Sequence, residues 1–151
     1  MSDRLKPPTW LKPMNKLVVA LGRLGVPAGP SQVLTVPGRK TGQPRSTPMT
    51  PFEHGGALYT VAGYPGADWA ANARAAGTGV LTRGRRSRRV RIVELTVDQS
   101  RPVLRAFAEK VPVGVGFVKR SGLVTDGTPD EFEALAGRLA VFELRFVEPH
   151  P

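Results

Sequence analysis

The chain has 151 residues, 40% of them apolar, a formal net charge of +10 and no cysteine. The length fits one domain, and the missing cysteine excludes disulfides and thiol nucleophiles. No stretch approaches the roughly 20 apolar residues of a membrane span, and the charge favours a polyanionic partner: nucleic acid, anionic lipid or an acidic small molecule.

Residues 1–10 are polar and proline-rich and read as a flexible N-terminal segment, with a single domain over 11–151. From Leu11 to Leu24 the pattern is helical. Met14, Leu17, Val18, Leu21 and Leu24 form one stripe, and Lys12, Lys16 and Arg23 lie opposite. Pro13 is tolerable only in the first turn. Such a helix either packs on the core or rests its basic face on an anionic membrane. The apolar run after Lys16 is short and lies past two prolines, so no cleavable leader is expected. The expected location is cytoplasmic, peripheral to the inner face of the membrane if the 11–24 helix makes that contact.

Val33–Val36, Ser46–Phe52 and Ala57–Ala62 read as strands, with Glu53-His-Gly-Gly56 as the hairpin turn between the last two. Pro48 and Pro51 push the second strand to an edge, or interrupt it where a ligand takes over its backbone partners. Asp68 to Ala76 reads as a short helix, with Asp68 as its cap and Gly77 closing it. Val80–Thr82 and Val90–Val97 follow as strands joined by an arginine-rich turn. Asp98 is the expected cap of a helix to about Lys110, with Val103, Leu104, Phe107 and Val111 inward. Thr128-Pro-Asp-Glu131 is a full helix-start signature. That helix carries Phe132, Leu135 and Ala136 and ends at Gly137. Ala140–Val147 alternates as a last strand. The order α-βββ-α-ββ-α-α-β argues for an α+β domain with an antiparallel sheet. A closed or split barrel of about six strands with peripheral helices would suit it.

Between the first two strands lies Gly38-Arg-Lys-Thr-Gly-Gln-Pro-Arg45. Gly38 and Gly42 allow a tight turn and close approach to a ligand. Arg39, Lys40 and Arg45 surround that turn with permanent charge, which fits phosphate or carboxylate. The loop is not a Walker loop, because Val33 stands where that motif needs a glycine. The acid–base inventory is thin: the histidines are His54, in a turn, and His150, next to last. No cluster has metal-ligand spacing, and a Ser-His-Asp set would have to recruit His54. If the chain is an enzyme, a cofactor carries the chemistry and the protein binds and orients it.

Gly38-Arg-Lys-Thr-Gly-Gln-Pro-Arg-Ser-Thr-Pro48, followed by Val61-Ala-Gly-Tyr-Pro-Gly-Ala-Asp-Trp-Ala-Ala-Asn72, resembles the signature of the deazaflavin-dependent nitroreductase family. These are split-β-barrel oxidoreductases that use coenzyme F-420. The resemblance implies hydride transfer from the reduced cofactor to an electrophilic acceptor: a quinone, an activated alkene or a nitroaromatic. It implies that Arg39 and Lys40 hold the phosphate and glutamate tail, with Arg45 joining from the next strand. Thr41, Gly42 and Gln43 complete that loop, and Thr47, Pro48 and Met49 lie along the deazaflavin ring. Ala62, Gly63 and Tyr64 form a backbone wall against the ring, and Trp69 and Asn72 begin the helix beside it.

The chain departs from the family pattern in two places. Ala70-Ala71 replace the usual Tyr-His between tryptophan and asparagine. The tyrosines that line the substrate side in better-known members are missing; this chain has only Tyr59 and Tyr64 and offers Phe117, Lys119 and Arg120. No catalytic residue is assigned, and the proton comes from solvent or a nearby hydroxyl. Other readings are a flavin mononucleotide (FMN) binder on the same barrel, a non-catalytic deazaflavin carrier, and a basic nucleic-acid or membrane adaptor. The cluster Arg74, Arg83, Arg85, Arg86, Arg88, Arg89 and Arg91 is a solvated hairpin, a landing surface for the acidic cofactor tail, or a lipid or nucleic-acid contact. It contains no aromatic for base stacking, which disfavours nucleic acid.

Overall fold

The computed structural model describes residues 32–147. The expected flexible segment 1–10, the helix expected over Leu11–Leu24, and His150 lie outside the described residues. The elements are β1 (Gln32–Pro37), β2 (Pro44–Met49), β3 (Phe52–His54), β4 (Ala57–Val61), α1 (Asp68–Ala76), β5 (Thr78–Arg83), β6 (Arg86–Glu94), α2 (Val97–Lys110), α3 (Pro112–Arg120), α4 (Pro129–Glu133) and β7 (Val141–Phe146).

All seven strands join one sheet in the order β2-β1-β5-β6-β7-β4-β3, and every pairing is antiparallel. The expected strand Ser46–Phe52 is two strands, β2 and β3, because Thr50-Pro51 interrupts it. Pro51 has no N–H to continue a ladder. These two strands are consecutive in the chain yet occupy opposite edges of the sheet. A two-residue link can join the edges only if the sheet curls until they nearly meet. That geometry is a split barrel, and its seam is at Thr50-Pro51.

Both faces of the sheet are buried. Inside the curl, Leu34, Val36, Leu81, Val90, Ile92, Phe142 and Leu144 pack with Ala67, Ala70 and Ala73 of the α1 region. The alternation of strand side chains puts them on one face. Alanines suit α1 because the concave side leaves little room, and Ala73 is fully buried. On the other face α2, α3 and α4 cover β3, β4 and β7 through Phe52, Leu104, Phe107, Val118, Phe132 and Val141. Complete burial of a side chain such as Phe132 or Phe142 contributes roughly 1.5–3 kcal/mol. Farther along that face, hydroxyl pairs match strand to strand: Thr35 with Ser46 at 2.7 Å and Thr82 with Ser87 at 2.9 Å.

Several helix boundaries differ from expectation. Ala67, not Asp68, is the N-cap of α1, and no side chain caps it. Thr96, not Asp98, caps α2 in a reciprocal box with Gln99, so the strand before it ends at Glu94. Asp98 instead pairs with Arg101 one turn on. The β6 strand begins at Arg86, so most of the arginines belong to the strand and the turn is only Gly84-Arg85. The Thr128–Glu131 box forms as expected, but α4 ends at Glu133, well before Gly137. Helix α3 has no counterpart in the expected order. Gly114 and Gly116 mask it, since glycine costs a helix interior about 1 kcal/mol. Gly114 has a packing reason: a Cβ there would come within 3 Å of the Phe107 ring on α2.

Candidate active site

The β1–β2 loop is a closed hairpin bend. The Gly38 N–H donates to the Gln43 carbonyl at 2.8 Å, and the Gly42 N–H to the Gly38 carbonyl at 2.9 Å. Gly42 has φ +74, a left-handed conformation that favours glycine. The Gln43 N–H is held by Thr41 Oγ1 at 3.2 Å.

The bend is fastened to α1. Asn72 is 7% exposed, and its Oδ1 accepts from the Arg39 backbone N–H at 3.0 Å and from Arg39 Nη1 at 2.8 Å. Arg39 also reaches Asp68 at 3.4 Å on the surface, where an ion pair adds little. At its other end α1 is clasped to β6 by a two-pronged pair, with Arg74 Nε and Nη2 donating to Glu94 at 2.6 and 2.7 Å. Those hydrogen bonds hold the Glu94 carboxyl below its ordinary value and raise Arg74. Arg74 therefore leaves the free arginine cluster. Lys40 and Arg45 have no hydrogen-bond or ion-pair partner among the described residues.

Register places Arg45, Thr47 and Met49 opposite Val36, Leu34 and Gln32. They therefore share the concave face with the core, and Met49 packs on it. The Pro48 side chain falls on the other face and does not join this row. The end of β4 closes the same region. The Ala62 N–H donates to the Ala140 carbonyl at 2.9 Å, and Ala62 is 1% exposed. Gly63 lies against α3, since a Cβ there would stand 2.9 Å from the Phe117 ring. Tyr64 and Phe117 pack with ring centroids 6.3 Å apart, and both are nearly half exposed. Val113, one turn before Phe117, is exposed as well.

Trp69 stacks at a tilt on Phe142, 5.6 Å between centroids, and belongs to the concave core. Tyr59 packs with Phe52 in the core of the opposite face, so Tyr64, against Phe117, is the tyrosine beside Gly63. The sequence offers Phe117 for the substrate side in place of the missing tyrosines, but the helix that carries it, α3, is hidden there behind its glycines.

The arginine hairpin is not beside this site. β1 and β5 are antiparallel, with Val33 opposite Thr82 and Thr35 opposite Val80. The Gly38–Gln43 bend therefore leaves one end of the sheet and the Gly84-Arg85 turn the other. Six strand residues separate the two levels, roughly 20 Å at the usual rise. That separation excludes the tip of the cluster as an extension of the loop, and with it the landing-surface reading for the tip.

Residues 13–120 match the model of the F420H(2)-dependent quinone reductase family. The matched segment contains the bend, the Ala62–Asn72 block and α3. No curated protein sequence matches the chain significantly. Among solved structures, the chain is similar to one described as a domain-swapped dimer, with TM-score 0.57, 20% identity, and 93% of this chain and 100% of the other covered. An F420-H2 dependent reductase aligns with TM-score 0.52 and 19% identity, over 77% of this chain and 94% of that one. A pyridoxamine 5'-phosphate oxidase-related, FMN binding protein from Nostoc punctiforme gives TM-score 0.54 and 12% identity, over 93% and 81%. At these identities the structural likeness establishes the split-barrel fold.

Proposed function

The chain belongs to the F420H(2)-dependent quinone reductase family, and we propose that its Gly38–Arg45 bend holds the acidic half of coenzyme F-420. The enzyme is an F-420-dependent reductase on a split barrel. The observation that supports this placement is a pair of unpartnered cations, Lys40 and Arg45, on a bend pinned to α1 by the buried Asn72. Such a donor set suits a phosphate with a carboxylate tail, because charged hydrogen bonds are the strong ones. In this reading Arg39 is first the clasp of the loop, and Thr41, Gly42 and Gln43 shape it. Thr47, Pro48 and Met49 contribute β2 backbone and the concave row along the ring, and Trp69 supports it from the core.

Bound and reduced, the cofactor supplies a hydride. The chain's own work is position and electrostatics. Ala62 and Gly63 leave no side-chain bulk, so their backbone can approach a planar ring. The Ala62 N–H is taken by the Ala140 carbonyl, so the Gly63 N–H is the donor that favours negative charge developing on the ring edge. Phe117, Tyr64 and Val113 make an apolar wall that excludes water and accepts a flat, lipophilic acceptor. The acceptor is a quinone, with activated alkenes and nitroaromatics as chemically related electrophiles. The Tyr64 hydroxyl or solvent returns the proton. No described helix is long and apolar enough to cross a membrane. The enzyme works in the cytoplasm.

The test is an absorbance titration of purified protein with F-420 and, separately, with FMN, followed by turnover of a short-chain quinone. Saturable F-420 binding with quinone reduction is expected. Preferential FMN binding would make it an FMN split-barrel protein, and F-420 binding without turnover of any acceptor would make it a carrier.

A further inference from the structure

Toward the end of the sheet away from the bend, Arg83, Arg85, Arg86 and Arg88 are exposed, and the row continues along β6 through the half-buried Arg89 to the exposed Arg91, which is level with the bend. None of the six pairs with a carboxylate among the described residues. The register increases their mutual repulsion at the hairpin tip, where Arg83 lies directly opposite Arg86. Like charges at directly opposed positions destabilise a sheet. Nothing in the fold is gained from this density, which argues for an external anion that relieves it.

Beside this row, at the end of β7 and opposite Val90 and Arg89, are exposed apolar groups. The Arg88 guanidinium sits 3.8 Å over the Phe146 ring. Phe146 is 38% and Val147 44% exposed. We propose that the β5–β6 hairpin, with Phe146 and Val147 beside it, is a contact surface for an anionic phospholipid bilayer. Guanidinium groups match lipid phosphates in geometry. The adjoining ring and valine suit the boundary between headgroups and acyl chains, where apolar bodies sit below cationic tips. A two-stranded ribbon could also enter a nucleic-acid groove, but the Phe146 face is already covered by Arg88 and offers no free platform for a base. In this orientation the Gly38–Gln43 bend faces water. The surface does not depend on the cofactor assignment.

The experiment is co-sedimentation of the full chain with phosphatidylglycerol-containing vesicles and with phosphatidylcholine vesicles. Three proteins are compared: wild type, Arg85→Ser/Arg86→Ser/Arg88→Ser, and Lys12→Ser/Lys16→Ser/Arg23→Ser. Wild type should bind the anionic vesicles and not the neutral ones. The hairpin variant should bind roughly a hundredfold more weakly, each arginine near an anionic surface contributing its share. Its F-420 affinity and circular dichroism should be unchanged, which separates lost binding from lost fold. Three results would overturn the proposal: vesicle binding unchanged in the hairpin variant, binding abolished by the 12/16/23 variant alone, or a short DNA duplex displacing wild type from vesicles at equal salt.

Discussion

The β1–β2 bend and the β5–β6 turn both gather cations on short antiparallel hairpins, yet only the first is built into the molecule. At the bend, Arg39 is tied by two hydrogen bonds to an asparagine that is almost fully buried, and the next strand carries Arg45, Thr47 and Met49 along the concave face. At the β5–β6 turn the arginines stand over one another with no carboxylate partner among the described residues, and Arg88 rests on a half-exposed ring. Charge count does not separate the two. What does is rigidity and the neighbouring wall: small residues and an apolar helix at the bend, open solvent at the turn. A pinned pair of cations can discriminate one anion by geometry, and a free ribbon can only sense an anionic surface.

Charge reversal gives the largest expected contrast. Lys40→Glu with Arg45→Glu should lower F-420 affinity by at least about a hundredfold, since each loses a charge-assisted contact and gains a repulsion. Arg85→Glu with Arg86→Glu should change it only a few-fold through long-range fields that salt screens. Calorimetric titration of both variants at two salt concentrations checks this, and comparable losses in the two would erase the distinction between the regions.

Asn72→Ala tests the clasp. It leaves the Arg39 backbone N–H and guanidinium without their buried acceptor, so stability should fall by roughly 1–3 kcal/mol. F-420 affinity should fall about tenfold as the bend loosens. Urea unfolding with a matched titration reads both quantities. Lost stability with full cofactor affinity would show that the bend does not need its anchor.

A smaller effect is expected at the wall. Gly63→Ala places a methyl 2.9 Å from the present Phe117 ring position, so the ring must move. KM for a quinone should change a few-fold, while F-420 affinity stays within about twofold on the scale that converts contact energy to affinity. An unchanged KM for both Gly63→Ala and Phe117→Ala would remove α3 from the acceptor side.

The smallest effect on cofactor binding serves as a control. Glu131 accepts backbone N–H bonds from Thr125, Thr128, Asp126 and Gly127. These hold its carboxyl down to about 2 from an ordinary 4.5. The unfolded chain therefore binds its proton first, and the stability this group contributes is full above that ordinary value and fades as pH falls from 4.5 toward 2. Glu131→Gln should flatten the acid limb of thermal stability without touching F-420 affinity at neutral pH. Identical acid limbs would mean that the loop before α4 is not held by this carboxylate.

Much of this was legible in the sequence, for reasons that differ by residue. The Thr128–Glu131 box was readable because cap, proline and glutamate fall within four positions, and Gly77 because a left-handed stop needs glycine. The bend was readable because glycine and cations alternate in one short run. Long-range pairing was not readable. Nothing local in Arg83–Arg91 says that β5 runs antiparallel to β1 and carries the turn to the far pole. Nothing local distinguishes Asp98 from Thr96 as the cap until β6 is known to end at Glu94. The valine- and glycine-rich run Pro112–Arg120 lacks intrinsic helix propensity, so α3 emerges only from packing on α2, although the sequence itself offers Phe117 for the substrate side.

The most direct measurement of the account is one F-420 binding series on four proteins: wild type, Lys40→Ala, Arg45→Ala and the Arg85/Arg86/Arg88→Ser variant. The account predicts a loss of about ten- to hundredfold in each of the two bend variants and wild-type affinity in the hairpin variant. Full affinity in both bend variants, or a loss confined to the hairpin variant, would contradict it.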